Sequence, residues 1–368
     1  MKETEILIVG GGPAGLSAAI EAVKAGAKVL LIDDGLKLGG QLIKQTHKFF
    51  GSKEEYAGTR GFKIAEILLS ELEKSGDRFE AITNTTVTGY YADDGVFGAL
   101  TGEEKYFKVK PKKTIVATGA YERTIPVPNC DLPGVYGAGA VQTLMNVYGV
   151  KPGERALMVG AGNIGLIVSY QLAQAGVKVQ AVVEAMPKIG GYWVHASKIR
   201  RIGIPIYTSH TIKEIHGKEY VEGATIVQVN ERWEPVEGTE KHIEADLICL
   251  AVGLSPLIEL LWQAGCEMRY IPELGGYVPV RDREMRTSHP DFYVAGDAAA
   301  IEEASTAMIE GKIAGLCAAK SLGYDIPDFE EKFNAFWEQL DSLRKGPVTE
   351  KIRQGLPKAI VGEAYRHA

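Results

Sequence analysis

Residues 6–33 read ILIVGGGPAGLSAAIEAVKAGAKVLLID, and residues 156–184 read ALMVGAGNIGLIVSYQLAQAGVKVQAVVE. In both stretches a short apolar run precedes a cluster of glycines, an apolar-periodic segment follows it, and a second β-rich run ends on a carboxylate. The chain therefore contains a β-turn-α-β unit twice. The glycines of the two copies correspond in order: Gly10, Gly12, Gly15 and Gly26 in the first, and Gly160, Gly162, Gly165 and Gly176 in the second.

This glycine spacing is typical of dinucleotide binding. The first glycine permits a tight turn, the second lets the backbone approach a pyrophosphate, and the third lets helix and strand pack closely. The helix start offers free N–H groups to the phosphates, and an acid about 20 residues further on binds a ribose hydroxyl. Two glycine-rich turns without a ligand are the alternative. The predicted contacts are Gly10, Gly12, Pro13, Ala14, Gly15 and Asp33 in the first copy, and Gly160, Gly162, Asn163, Ile164, Gly165 and Glu184 in the second.

The remaining segments fit an α/β protein with two such domains. Lys113–Gly119 (KTIVATG) is a β-run that closes on glycine, and Asp246–Gly253 (DLICLAVG) is its counterpart in the second half. Phe292–Asp297 (FYVAGD) reads as a further short strand that ends in Gly-Asp. We expect helices from about Ser305 to Ser321 and from Asp328 to Leu343, with looser structure beyond.

Composition narrows the classes of function. The 368 residues carry a formal net charge of -6, which argues against nucleic acid as the main partner. No apolar run is long enough to span a bilayer, and we expect a soluble, cytoplasmic protein. The four cysteines form no CxxC and no zinc or iron–sulfur spacing, so we expect no metal site and mostly buried structural thiols. They are Cys130, Cys249, Cys266 and Cys317.

With these motifs in place, the chain resembles the pyridine-nucleotide–disulfide-reductase-like flavoproteins over about residues 4–323. The resemblance implies two Rossmann-like domains in a thioredoxin-reductase-like arrangement, with an NAD domain inserted into a discontinuous FAD domain. We accordingly expect an FAD-binding domain from residues 1–120 plus 251–325, an NAD(H)-binding domain from 121–250, and a C-terminal helical tail over 326–368.

The same resemblance assigns further residues to the cofactors. The stretch Gly39-Gly40-Gln41-Leu42 looks like the GGQL loop of thioredoxin reductases, which lies near the flavin. Gly253 is assigned to the nicotinamide nucleotide. The further FAD contacts implied by the family are Gly40, Gln41, Val87, Ala117, Thr118, Gly119, Gly296 and Asp297.

The redox dithiol of that family is missing here. Thioredoxin reductases carry a CxxC between the ATG strand and the second fingerprint, where this chain has Gly137–Gln142 without a cysteine. Other disulfide reductases carry the pair in the first helix, and the corresponding Lys37–Lys44 also lacks cysteine. Without two thiols there is no dithiol relay, so a thioredoxin or lipoamide reductase is excluded.

A narrower resemblance rests on Leu132–Gln142, LPGVYGAGAVQ. It is similar to a signature of the FAD/NAD-type subunits of heteromeric dye-linked dehydrogenases: opine oxidase, L-proline and hydroxyproline dehydrogenase, hydrogen cyanide synthase and the large sarcosine oxidase subunit. The resemblance implies an electron-transfer subunit whose partner is a D-amino-acid-oxidase-like flavoprotein. Any iron–sulfur cluster would have to come from a separate small subunit, because this chain lacks the Cys-rich domain of several members.

Some interpretations stay open at this point. Glu184 favours NADH, since a carboxylate accepts a 2′-hydroxyl and repels a 2′-phosphate, although another nucleotide such as ATP is an alternative. His47 and His195 are each either structural or close to a cofactor. The apolar stripe Phe329, Phe333, Phe336 and Trp337 either packs on its own domain or docks on a partner. The alternative to a subunit is a stand-alone NADH:acceptor oxidoreductase that uses quinone, dye or oxygen.

Overall fold

The computed structural model describes residues 1–49, 52–102 and 105–362, and the chain divides into two compact units. The first unit comprises Met1–Tyr121 and Ser255–Ala368, and the second comprises Glu122–Leu254. The strands, in chain order, are β1 (Lys2–Val9), β2 (Val29–Ile32), β3 (Phe79–Ile82), β4 (Thr85–Tyr91), β5 (Val96–Thr101), β6 (Lys105–Val116), β7 (Ala120–Glu122), β8 (Val135–Gly137), β9 (Arg155–Val159), β10 (Lys178–Glu184), β11 (Ile206–Thr208), β12 (His210–Gly217), β13 (Val221–Gln228), β14 (Lys241–Glu244), β15 (Leu247–Leu250), β16 (Leu254–Pro256), β17 (Met268–Ile271), β18 (Gly276–Pro279) and β19 (Phe292–Val294).

Nine α-helices accompany these strands within the described residues, together with short 3₁₀ turns at 40–44, 73–78, 272–274, 296–298 and 347–349. The helices are α1 (Pro13–Lys24), α2 (Gly61–Leu72), α3 (Ala138–Asn146), α4 (Asn163–Gln174), α5 (Trp193–Arg201), α6 (Glu259–Gln263), α7 (Ala304–Ser321), α8 (Phe329–Leu343) and α9 (Glu350–Ala359).

The first unit is built on a mixed seven-stranded sheet. Its strand order is β3-β2-β1-β6-β5-β4, and β19 also pairs with β6. Strands β1, β2, β3, β6 and β19 run parallel to one another, whereas β4 and β5 are antiparallel additions. Strand β2 and the second half of β1 are buried and rich in Ile, Leu and Val, and β19 is also buried, as expected where both faces of a sheet are covered.

Helices α1 and α7 pack unusually closely on one face of this sheet. A Cβ atom added to Gly311 would lie 2.1 Å from the carbonyl oxygen of Ala14, and one added to Gly315 would lie 2.1 Å from that of Ala18. Only glycine allows the two backbones to approach in this way. This contact fixes α7, and with it the preceding Gly296–Asp297 segment, relative to the start of α1.

The second unit repeats the parallel arrangement on a smaller scale. Its five-stranded sheet has the order β11-β10-β9-β15-β8, all parallel, and β12, β13 and β14 form a separate antiparallel sheet. The second copy of the repeat is one residue longer than the first between its last glycine and its acid. A register shift between Val179 and Ala181 in β10 takes up this extra residue.

The C-terminal segment differs from the expectation of looser structure after Leu343, because α9 forms there. Leu356 and Ala359 of α9 pack against Ile271 and Leu274 in the first unit. The predicted tail ends in residues 363–368, which lie outside the described residues. Of its apolar stripe, Trp337 is buried, and the three phenylalanines are half-buried against the core that α1 and α7 share. The stripe therefore packs on its own unit.

The sequence predicts mostly buried cysteines and no membrane-spanning segment. Cys249, Cys266 and Cys317 are buried as thiols, and Cys130 is exposed. Within residues 1–49, 52–102 and 105–362, no helix combines the length and the apolar character needed to cross a membrane.

Candidate nucleotide-binding sites

The first glycine-rich turn connects the carboxyl end of β1 to α1. Gly10 has φ +105°, and a Cβ atom there would lie 2.3 Å from the carbonyl oxygen of Ala117 at the end of β6. A Cβ atom on Gly15 would lie 1.9 Å from the carbonyl oxygen of Gly10. Gly12 precedes α1, and neither a capping side chain nor an acidic residue occupies the first turn of this helix. The helix start is therefore left to bind an anion through its backbone.

Asp33 closes the same site from the end of β2. Its Oδ2 accepts the N–H of Gly11 at 2.6 Å, and its Oδ1 accepts the N–H of Gly35 at 2.8 Å. Burial raises the pKa of Asp33, although these two hydrogen bonds oppose the shift. The carboxylate is thus fixed beside the glycine-rich turn, where the fingerprint requires a ribose-binding acid.

The predicted GGQL loop lies directly on the turn. The N–H of Gly39 donates to the carbonyl oxygen of Gly11 at 2.8 Å, and a Cβ atom on Gly40 would lie 2.7 Å from the Cα of Gly12. Gly40 has φ +49°, and Gln41 is exposed. The structure therefore brings Gly40 to the dinucleotide turn and leaves the Gln41 side chain facing solvent.

The ATG segment approaches the site from the end of β6. The Oγ1 of Thr118 donates to the carbonyl oxygen of Leu257 at 2.6 Å, and the N–H of Leu257 donates to the carbonyl oxygen of Gly119 at 2.9 Å. Gly119 has φ +75° and open space at its Cβ position. Val87 lies on the antiparallel strand β4, half-buried against an apolar cluster that includes Phe97.

The Gly-Asp pair follows β19 and faces α1. Gly296 has φ +71°, and a Cβ atom there would lie 2.9 Å from the Cβ of Ala14. Burial raises the pKa of Asp297 to about 7, and the nearby carboxylates of Glu302 and Glu310 add to this shift. The N–H of Glu302 donates to Asp297 Oδ1 at 3.3 Å. The pair is therefore held between the start of α1 and the start of α7.

The second unit closely reproduces the first turn. Gly160 has φ +108°, and its Cβ position lies 2.2 Å from the carbonyl oxygen of Ala251. The Cβ position of Gly165 lies 2.1 Å from the carbonyl oxygen of Gly160, whereas that of Gly162 meets no atom within 4 Å. Helix α4 also begins without a capping side chain or an acidic residue in its first turn. A phosphate-binding helix start is thus present in both units.

Glu184 occupies the position of Asp33. Its Oε2 accepts the N–H of Ala161 at 2.8 Å, and its Oε1 accepts the N–H of Met186 at 3.0 Å. Gly253, with φ +117°, follows β15, and its carbonyl oxygen accepts the N–H of Arg123 at 3.0 Å. Ile164 is partly exposed at the start of α4.

A loop that the fingerprint alone does not predict lies on the second turn. The N–H groups of Gly190 and Gly191 both donate to the carbonyl oxygen of Ala161, at 3.1 and 3.0 Å. The Oδ1 of Asn163 accepts the N–H of Tyr192 at 2.8 Å. This is the counterpart of the Gly39 contact with Gly11 in the first unit. The signal was in the sequence, because LKLGGQ at 36–41 and PKIGGY at 187–192 share Lys-X-Gly-Gly.

Neither His47 nor His195 gains a catalytic role from the structure. His195 is buried in α5, and burial lowers its pKa, with Lys198 adding to the shift. His47 is half-buried, and its ring stacks on Phe49 at a centroid distance of 5.7 Å.

A carboxylate that the sequence did not single out lies near the start of α3. Glu122 accepts the N–H of Gly139 at 2.6 Å and that of Ala140 at 3.1 Å. It thereby binds the first turn of this helix, in the stretch that corresponds to the dithiol segment of thioredoxin reductases.

The arrangement fits two dinucleotides. In each unit a carboxylate, an uncapped helix start and a glycine-rich turn converge at the carboxyl ends of parallel strands. Asp33 and Glu184 supply the ribose-binding acid, and the turns leave room where a pyrophosphate approaches. Within the described part of the chain, no group of three or more His, Cys, Asp or Glu side chains is placed to hold a metal ion.

Comparison with proteins of known sequence identifies the family to which this chain is similar. Residues 4–311 match the sequence model of the pyridine nucleotide-disulphide oxidoreductase family. An opine oxidase polypeptide of Agrobacterium tumefaciens, one of the subunits of that enzyme, is 30% identical over 341 residues, which cover 86% of this chain and 66% of the relative. The alpha subunit of sarcosine oxidase from a Corynebacterium strain is 28% identical over 88% of this chain and 33% of its own length. The chain thus spans between a third and two thirds of these relatives.

Solved structures share the fold. Thioredoxin reductase from T. acidophilum matches with a TM-score of 0.70 and 23% identity, over 88% of this chain and 99% of that one. L-proline dehydrogenase from P. horikoshii matches with a TM-score of 0.68 and 24% identity, over 92% of this chain and 59% of that one. The predicted thioredoxin-reductase-like α/β fold is therefore confirmed. The chain belongs to the pyridine nucleotide-disulphide oxidoreductase family, as a flavin-dependent oxidoreductase whose cofactors are FAD and a nicotinamide dinucleotide.

Proposed function

We propose that this chain is the electron-transfer subunit, carrying FAD and NAD(H), of a multi-subunit amine or amino-acid dehydrogenase. The proposal rests on two observations. Each unit has a dinucleotide cradle, which is a glycine-rich turn with an uncapped helix start and a carboxylate beside it, and the sequence contains no pair of neighbouring cysteines. Two cradles are what a protein needs to bind two redox dinucleotides. A dithiol reductase would need two neighbouring thiols as well.

The cysteines support a role without a dithiol. Three of the four thiols are buried, and burial raises the pKa of Cys249 far above its usual range. A thiol reacts as its thiolate, so such a residue is chemically inert at neutral pH. The remaining thiol, Cys130, is exposed and has no cysteine neighbour in sequence. Electrons would therefore leave or enter the flavin without passing through protein sulfur.

The first site would hold FAD and the second the nicotinamide nucleotide. When bound, FAD supplies the hydride- and electron-transfer chemistry, and the protein supplies binding and orientation. Asp33, Gly40, Thr118 and Asp297 lie around the first turn and would bind the FAD. Glu184, fixed by two backbone N–H groups, would accept the ribose hydroxyls of NADH and repel the 2′-phosphate of NADPH.

A partner subunit would carry the amine-oxidising site. Two relatives are, by name, subunits of opine oxidase and sarcosine oxidase, so such proteins work within larger enzymes. We propose a D-amino-acid-oxidase-like flavoprotein as the main partner, and a small iron–sulfur subunit where the complex requires a cluster. The substrate of the complex would then be chosen by the partner and not by this chain.

The test compares the isolated chain with the native complex. FAD-loaded chain is mixed anaerobically with proline, sarcosine, hydroxyproline or an opine, and the flavin absorbance is followed. We expect no bleaching by any amino acid in the isolated chain, and bleaching by one of them in the co-purified complex. Bleaching of the isolated chain by an amino acid would contradict the subunit role. Sustained NADH–dye turnover by the isolated chain would favour the stand-alone oxidoreductase instead.

A control variant separates the two sites in this experiment. Gly162→Ala adds a methyl group where no protein atom lies within 4 Å, so the second unit should fold normally. It should weaken nicotinamide nucleotide binding and leave FAD loading unchanged. Amino-acid-dependent bleaching in the complex should survive this substitution, because the proposed amine site lies on the partner.

A further inference from the structure

A cluster of buried charges lies behind the Gly-Asp pair of the first unit. The side chains of Arg281, Glu302, Glu310 and Arg344 are each at most 5% exposed. Charged groups are rarely buried to this degree unless they are paired and hydrogen-bonded. The cluster is distinct from the glycine-rich turns, and neither fingerprint predicts it.

Arg344 organises the two carboxylates of this cluster. Its Nη2 donates to Glu302 Oε1 at 2.6 Å and its Nε donates to Glu302 Oε2 at 2.9 Å, which is a two-pronged contact. Its Nη2 also donates to Glu310 Oε1 at 2.7 Å. Arg281 adds a weaker ion pair, with its Nη2 3.5 Å from Glu310 Oε1.

Glu302 and Glu310 also form hydrogen bonds with the Gly-Asp pair. The Oε2 of Glu310 accepts the N–H of Gly296 at 3.0 Å. The backbone N–H of Glu302 donates to Asp297 Oδ1 at 3.3 Å. A chain of contacts therefore runs from the guanidinium of Arg344 through two glutamates to the residues assigned to FAD.

Arg344 comes from a part of the chain that the family match does not include. The match ends at residue 311, whereas Arg344 directly follows α8. The same C-terminal segment also holds Arg281, whose N–H donates to the carbonyl oxygen of Ala359 and whose carbonyl oxygen accepts the N–H of Val361. Both cations of the cluster are thus fixed by residues 329–361.

We propose that Arg344 is a positioning residue of the FAD site, through which the C-terminal segment holds the Gly296–Asp297 pair in its binding conformation. The inference rests on the FAD cofactor of the family and is independent of the donor, acceptor and partner proposed above. Without the Arg344 guanidinium, the buried Glu302 and Glu310 carboxylates would be left with the weaker ion pair of Arg281 to Glu310 as their cation contact in this cluster. Loss of one partner from a buried ion pair is strongly unfavourable, so the glutamates and the backbone they bind would rearrange.

The test measures FAD affinity of folded apoprotein. Arg344→Gln, Arg344→Lys and the neighbouring surface variant Lys345→Gln are stripped of flavin, checked for folding by circular dichroism, and titrated with FAD by fluorescence. We expect Arg344→Gln to weaken FAD binding by about tenfold or more. Arg344→Lys keeps the charge and should recover part of that loss, whereas Lys345→Gln should stay within about twofold of wild type.

The FAD affinity of the folded apoprotein distinguishes a positioning role of Arg344 from a purely stabilising one. A purely structural Arg344 would lower the melting temperature of the apoprotein and leave its FAD affinity within about twofold of wild type, which would overturn the proposal. If Arg344→Gln fails to fold, the same FAD titration is carried out with Glu310→Gln. This variant keeps an oxygen for the Gly296 N–H but removes the charge that Arg344 binds. Weaker FAD binding by Glu310→Gln supports the proposal, and unchanged binding contradicts it.

Discussion

The carbonyl oxygen of Gly10 lies 1.9 Å from the position that a Cβ atom would occupy on Gly15. Real Cβ atoms do not approach a backbone oxygen so closely, so this turn admits only glycine at position 15. Gly165 stands in the same relation to Gly160, at 2.1 Å. The third glycine of each fingerprint is therefore required by the packing of helix on strand and not by contact with a ligand.

This distinction predicts opposite outcomes for two alanine substitutions in the second unit. Gly165→Ala should destabilise the unit by about 3 kcal/mol or more, because the clash involves backbone that cannot move aside. Gly162→Ala meets no atom within 4 Å and has an extended backbone that alanine adopts, so its stability should stay within about 0.5 kcal/mol of wild type. Chemical denaturation measures the stability of the two variants, and NADH titration measures their nucleotide binding. Normal stability of Gly165→Ala would contradict the packing role.

The contact between α1 and α7 gives a second prediction. Gly311→Ala places a methyl group 2.1 Å from the carbonyl oxygen of Ala14 and should separate the helices. We expect a loss of about 3 kcal/mol or more in stability, together with loss of bound FAD, because α7 adjoins the Gly-Asp pair. Gly346→Ala, whose Cβ position is open and whose φ is -68°, is the matched control and should be neutral. The two variants are compared by thermal melting and by flavin content after purification.

Part of this site could be predicted from the sequence, because the backbone atoms approach so closely at some positions that only glycine fits there. Gly10, Gly15 and their counterparts are glycines for steric reasons, so their spacing is visible without a structure. The Gly190-Gly191 loop leaves a signal in the sequence too. The extra residue in β10 shifts that part of the repeat by one position, which hides its correspondence with Gly39-Gly40.

The buried charge cluster could not be predicted in the same way. Glu310 and Arg344 are 34 residues apart, one within α7 and the other just after α8, so no local pattern links them. In the sequence alone each reads as an ordinary surface charge, because Glu310 is followed closely by Lys312 and Arg344 directly by Lys345. The same reason hid α9, whose apolar residues find their partners in a distant hairpin.

Nucleotide preference should depend on Glu184. Wild-type protein should bind NADH more tightly than NADPH, because the carboxylate fixed by Ala161 and Met186 repels a 2′-phosphate. Glu184→Arg should narrow or reverse this preference, and Glu184→Gln, which retains an oxygen, should weaken it less. Anaerobic titration of each variant with both nucleotides measures the dissociation constants. Equal or tighter NADPH binding by the wild type would contradict the assignment, and failure to bind either would indicate another nucleotide, such as ATP.

The pH dependence of stability should reveal Asp297. Burial raises the pKa of this carboxyl to about 7 in the folded apoprotein, well above the value of 3.8 expected when it is exposed. The folded state therefore binds more protons than the unfolded state between these values. The stability contributed by the protonated group is fully present below about pH 4 and is lost as the pH rises through about 7.

Asp297→Asn should remove this dependence, because asparagine stays neutral at every pH. Urea denaturation of flavin-free protein at about pH 5, 6.5 and 8 measures the free energy of unfolding. We expect the variant to gain stability relative to wild type as the pH rises, with a slope that corresponds to about one proton. The exposed Asp341→Asn on α8 is the control for the lost charge and should follow the wild-type curve. Parallel curves for Asp297→Asn and wild type would show that Asp297 is already ionised at pH 5, and that its half-buried position does not hold the proton.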